Sequence, residues 1–129
     1  MSETTRMTPP RNNLLPVIEH TVTVYKIWYE YRENLPRKSR YTLGDKIDTL
    51  FLQLLELLFT ASYQSKERKL PTLEIAQKKN DTLQFILRIA WEIHAVENGK
   101  YITLSTELYE LGRMIGGWRK GLLSKTPTP

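Results

Sequence analysis

Cysteine is absent from this sequence, which excludes a disulfide framework, Cys-ligated zinc, thiol nucleophiles and iron–sulfur chemistry. Its absence also fits a reducing, cytoplasmic setting. Histidine is scarce: His20 and His94 are the only two, and neither has a carboxylate at metal-ligand spacing. His94 falls on an apolar seam and reads as a hydrogen-bonded core or interface histidine. No Gly-rich phosphate loop and no Glu-x-x-His metal motif occurs, and Ser39, Ser62, Ser65, Ser105 and Ser124 lack a nucleophile-elbow context. The expectation is a non-enzymatic protein with no catalytic residue, metal or cofactor. Long hydrophobic runs are missing too. The richest apolar stretch, Leu50 to Phe59, contains Gln53 and Glu56 and is far short of the ~20 residues a membrane span needs. The polar stretch Met1 to Asn13 lacks the apolar run of a signal peptide. A protein without membrane association follows.

What remains is one domain's worth of chain, 129 residues, enough to bury a core without staples. The net charge of +5 and a pI near 9.5 favour acidic partners, nucleic acid first among them.

Helical periodicity dominates. Leu43, Ile47, Leu50, Leu54, Leu57 and Ala61 follow a 4-3-4-3 spacing, the seam of a helix packed along other helices. Phe51, Leu55, Leu58 and Phe59 lie beside it, so the apolar arc spans roughly 220° and only Asp48 interrupts it. Such an arc is wider than one small bundle needs: one side suits the chain's own core, the other a second subunit. Ahead of it, residues 1–15 form a loose arm, and Pro16 opens a helix over Val17 to Asn34. Its expected face is Ile18, Val22, Tyr25, Tyr29 and Arg32, with Trp28 and Leu35 close to it; Thr21 to Val24 could equally begin a strand.

Leu35 to Arg40 reads as a connector, because the residue before Pro36 resists helical geometry. Thr42 and Asp45 have capping-box spacing. Gln64 to Lys69 is a polar break, and Leu70-Pro71-Thr72 starts a third helix. Its seam is Leu73, Ala76, Leu83, Leu87, Ala90 and His94. Its solvent stripe is Gln77, Asp81, Gln84, Arg88 and Glu92, with an Arg88–Glu92 pair available. Asn98-Gly99 reads as its stop. A fourth helix carries Leu104, Leu108, Leu111, Ile115, Trp118 and Leu122. The fold class is all-α, an antiparallel up-down-up-down four-helix bundle over residues 16–123, followed by a frayed tail over 124–129.

This topology gathers cations at both ends. The first end holds Arg37, Lys38, Arg40, Lys46 and Lys100, diluted by Glu33, Asp45, Asp48 and Glu97. The second holds Lys66, Arg68, Lys69, Lys78, Lys79, Arg119, Lys120 and Lys125 against Glu67 and Glu74. The second end is the stronger electrostatic footprint for a phosphate backbone, although solvated helix ends are also rich in lysine. Gly112-x-x-x-Gly116 leaves two bare spots on one face of the fourth helix, for close helix approach or ligand contact. Trp118 reads as a filler between helices, with base stacking as the alternative.

Three segments carry a family resemblance: Leu35-Pro-Arg-Lys-Ser-Arg-Tyr-Thr-Leu-Gly-Asp-Lys-Ile-Asp48, Asp81-x-Leu83…Leu87-Arg88-x-Ala90, and Leu111-Gly-Arg-Met-Ile-Gly-Gly-Trp-Arg-Lys120. Together they resemble the accessory variability determinant (Avd) proteins of diversity-generating retroelements. Those proteins are relatives of the four-helix-bundle proteins encoded in intervening sequences of 23S ribosomal RNA genes. The resemblance implies a homopentameric barrel of bundles that binds RNA or DNA. It also implies a partnership with the retroelement's reverse transcriptase in mutagenic retrohoming. Individual contact residues do not carry over; the basic positions named above rest on electrostatics alone. Two other readings stay open: an intervening-sequence homologue without a stated role, and a structural oligomer that scaffolds another protein.

Overall fold

A computed structural model describes residues 14–124, so most of the expected arm and the tail from Lys125 onward lie outside the described residues. Four long helices occur among the described residues, with no strand. They are α1 (Pro16–Tyr31), α2 (Asp45–Tyr63), α3 (Lys66–Glu92) and α4 (Asn98–Ser124). Packing runs cyclically, α1 on α2, α2 on α3, α3 on α4 and α4 on α1, as expected for an antiparallel square bundle with short links. One continuous core fills it, from Val24 and Trp28 through Leu54 and Leu83 to Leu108 and Ile115.

Pro16 opens α1, where its missing N–H is no loss. Thr21 to Val24 is helical, not a strand. The Thr21 hydroxyl donates to the Val17 carbonyl at 2.7 Å and that of Thr23 to Glu19 at 3.1 Å, which satisfies both groups inside the helix. The core face, however, is Val17, Ile18, Thr21, Val24, Trp28 and Tyr31. Of the expected face, Ile18 is buried, Val22, Tyr25 and Arg32 are half-buried and Tyr29 is exposed. Trp28, the largest side chain in the segment, is completely buried and turns the helix about its axis.

Between α1 and α2 the expected connector shrinks to Leu35 and Pro36. A 3-10 turn (Arg32–Asn34) precedes them; a single α-turn (Arg37–Ser39) and a π-helical stretch (Arg40–Gly44) follow and run into α2. The Thr42 cap is therefore a correction. Its hydroxyl faces backward, donating to the Lys38 and Ser39 carbonyls at 3.3 Å, because helical backbone already precedes it. Gly44 allows this close route: a Cβ there would stand 3.0 Å from Leu35 Cδ1.

Two further boundaries are corrected. Helix α3 begins at Lys66, four residues before the expected start, and takes Pro71 inside. The polar run contains no residue that breaks a helix, and α3 carries Pro71 in its second turn, where the ring forgoes the hydrogen bond to the carbonyl four residues back. The other end is at Glu92, not Asn98. His94 adopts φ 65°, and the Ala95 and Val96 amides both donate to the Ala90 carbonyl, at 2.8 and 3.2 Å. This left-handed cap closes the helix as glycine commonly does. It puts His94 on the surface, not in the core, and Ile93 with it. Asn98 instead begins α4, where its side chain accepts from the Trp91 indole.

The α3–α4 contact is polar at its centre. Asn80, 0% exposed, donates from Nδ2 to the Leu108 carbonyl at 3.0 Å, and Gln77 from Nε2 to Gly112 at 3.1 Å. Gln77 thus belongs to the helix interface rather than the solvent stripe. Of the paired glycines, Gly112 alone is crowded, its Cβ position 3.0 Å from Asn80 Nδ2. At Gly116 the nearest atom is 4.0 Å away. The Arg88–Glu92 pair forms at 2.9 Å.

Candidate nucleic-acid interface

The bundle topology sorts the cations. At the second end, Lys66, Arg68 and Lys69 occupy the first turn of α3, beside the positive end of the helix macrodipole, where acidic residues are favoured. Only Glu67 offsets them there. This arrangement raises the local positive potential at some expense of helix stability. Lys66, Arg68 and Lys120 make no ion pair among the described residues. Arg119 pairs with Glu74 at 3.6 Å. The Lys69 ammonium stands 5.9 Å from the centre of the Trp118 ring. Lys78 and Lys79 lie further along α3, roughly 13 Å beyond Lys69 at 1.5 Å per residue, so they extend the cluster along the bundle. Lys78 is exposed, whereas Lys79 is half-buried in a groove with Gln53, Glu56 and Ile75.

The first end is different. Arg37 and Lys38 are exposed and unpaired among the described residues. Arg40 is not a free cation in the same sense: its guanidinium donates to the carbonyls of Glu33 at 3.2 Å and Leu35 at 3.1 Å, tying down the turn after α1. Arg32 bridges Asp45 and Asp48, each at 3.2 Å, and Lys100 lies 5.7 Å from the Tyr31 ring centre. Asp48 also accepts from the Tyr25 hydroxyl at 2.9 Å. Burial, followed by that hydrogen bond and the Asp48 charge, pushes the Tyr25 phenol up to about 12. The sequence did signal this node, since Asp48 is the one interruption in the apolar arc of α2. Its partners on α1 were not legible.

The histidines do not meet. His20 Nε2 lies 3.1 Å from a Glu107 carboxylate oxygen across the α1–α4 contact, while His94 caps α3. Among the described residues no group of three or more His, Cys, Asp or Glu side chains is placed to hold a metal ion. The hydroxyls of Ser62, Ser105 and Ser124 donate to carbonyls within their own helices. No helix among the described residues is long and apolar enough to cross a membrane.

A family model described as bAvd-like matches residues 17–122, nearly the whole described bundle. The chain belongs to the bAvd-like family. The match spans all three segments that suggested an Avd protein. A search among curated proteins returns no match. In this bAvd-like chain, two of those segments coincide with special backbone or packing. The Arg37–Gly44 stretch forms the short α-turn and π-helical entry to α2. The Leu111–Lys120 stretch supplies the crowded Gly112 and the Trp118–Lys69 contact.

Proposed function

We propose that this bAvd-like protein is a non-catalytic, nucleic-acid-binding accessory protein. It works with a retroelement reverse transcriptase in mutagenic retrohoming and acts in the cytoplasm. The family match over residues 17–122 is the observation that carries the reading; the cationic second end agrees with it, because phosphate neutralisation needs cations that are free to leave their own surface. Lys66, Arg68 and Lys120 meet that condition, and Lys78, Arg37 and Lys38 add to it.

The working form is a ring, five copies by family resemblance. Supporting it are exposed apolar residues on two opposite sides of the bundle. Tyr29, Leu52 and Phe59 follow the outer flank of α1 and α2, the side marked by the Tyr25–Asp48 bond. Phe85, Ile102 and Tyr109 belong to the opposite pair; Ile102 and Tyr109 precede Gly116, which faces Gln77 of α3, by fourteen and seven residues. Two different faces joined head to tail generate a closed ring when the rotation closes, and the second-end cations then recur around one axis.

Light scattering together with a salt series of single-stranded RNA and DNA binding tests this. The reading expects a mass several times the 15.2 kDa chain and an affinity that falls steeply with salt. A multimer that binds neither polymer even at low salt would favour the scaffold role instead.

A further inference from the structure

An apolar pocket opens at the second end, between the start of α1 and the last turns of α4, lined by Leu15, Pro16, Val17, Met114 and Trp118. Nothing in the charge clusters accounts for it. Trp118 is only partly buried, packed against the edge of the core. The single hydrogen-bonding side-chain group among the five lining residues is the indole N–H. Lys69 sits against the same indole, 5.9 Å from its centre. An apolar aromatic wall with a cation immediately beside it is complementary to a ligand that is flat and apolar at one end and anionic at the other.

A nucleotide of a single strand has that form. We infer that the Leu15–Trp118 pocket receives one unpaired base, stacked on Trp118, while Lys69 neutralises an adjacent phosphate. The assignment rests on the nucleic-acid reading above and makes it specific: the second end takes single-stranded rather than duplex nucleic acid, since a base within a duplex has no free face to offer. Apart from one indole N–H, the apolar lining offers the base edge nothing to read, so the pocket accepts different bases with similar affinity. The Lys69–Trp118 contact has a place in the arrangement, because it keeps the ammonium beside the aromatic wall before any strand arrives.

The test compares a short oligothymidylate with an abasic oligomer of the same length, using the full-length protein at low salt. Trp118→Leu keeps an apolar side chain but removes the ring. It is expected to weaken oligothymidylate binding by about 5- to 150-fold, the range that stacking of one base corresponds to, and to leave abasic binding nearly unchanged. Trp118→Phe restores most of the loss. A strand carrying 5-iodouracil, irradiated with the wild-type protein, crosslinks to Trp118. Equal losses on both strands, no loss on either, or a crosslink that maps elsewhere would overturn the inference while leaving salt-dependent phosphate binding intact. A pocket that serves an apolar side chain of a protein partner gives that second outcome. A wild-type protein that binds neither strand removes the nucleic-acid reading itself. Should Trp118→Leu lose helical content, the wild-type crosslink alone decides.

Discussion

Gly112 and Gly116 lie one turn apart on α4, and the structure assigns them opposite responses to the same substitution. Alanine in a helix interior is favoured over glycine by about 1 kcal/mol, so both changes begin with the same gain. At Gly116 the new methyl has 4.0 Å to its nearest neighbour, and Gly116→Ala should retain that gain of about 1 kcal/mol. At Gly112 the methyl would stand 3.0 Å from Asn80 Nδ2 and 3.6 Å from Gln77 Nε2. Asn80 is fully buried and held by its bond to the Leu108 carbonyl, so it has nowhere to swing. Displacing it forfeits that bond and leaves a buried amide without a partner, worth roughly 1–3 kcal/mol. The result should be a net destabilisation of about 1 kcal/mol, and a gap of roughly 2 kcal/mol between the two variants. Urea denaturation followed by far-UV circular dichroism measures both, at one protein concentration because assembly would add to apparent stability. If Gly112→Ala proves as stabilising as Gly116→Ala, the close polar contact between α3 and α4 is wrong.

Tyr25 should ionise later than an ordinary phenol. Its folded-state value of about 12 lies above the ordinary 10, so protonated Tyr25 contributes stability that is complete below pH 10 and lost as pH rises toward 12. Comparing Tyr25→Phe with wild type by phenolate absorbance and alkaline unfolding should remove that late step. Arg40→Ala, which strips two carbonyls of their donor, should destabilise by about 1–3 kcal/mol, whereas Arg37→Ala and Lys38→Ala should stay within about 0.5 kcal/mol in the same denaturation assay. Phe59→Asp puts a charge on the exposed flank of α2 and should reduce the mass seen by light scattering while far-UV dichroism remains unchanged; an unaltered mass would take that flank out of the interface.

The seams were legible because burial of leucine-rich stripes leaves a period. Ile47, Leu50 and Leu54 of α2 and Leu104, Leu108, Leu111 and Ile115 of α4 are all buried as their spacing implies. The excess width of the α2 arc was legible too: of the residues beside the seam, Phe51 and Leu58 are in the core, Leu55 is half-buried and Phe59 is outside. Helix ends were harder to read, since polarity is weak evidence of a break. Lys66 to Lys69 is polar and helical; Asn98-Gly99 starts a helix; the stop before it is His94, and outside glycine the left-handed region is uncommon. Side-chain roles were least legible. Arg40 looked like its neighbours Arg37 and Lys38, yet its guanidinium holds the turn after α1. The Lys69–Trp118 contact joins residues nearly fifty positions apart, beyond the reach of any local pattern.

Charge reversal at the two ends tests the central claim most directly. Lys66→Glu, Arg68→Glu and Lys69→Glu combined should weaken single-stranded RNA binding strongly and flatten its logarithmic salt dependence by about two units, the share of roughly three lost phosphate contacts. Arg37→Glu with Lys38→Glu should change both much less, and Arg40 is left in place because the fold uses it. Equal binding by the wild type and the second-end variant, or a greater loss from the first-end variant, would contradict the account.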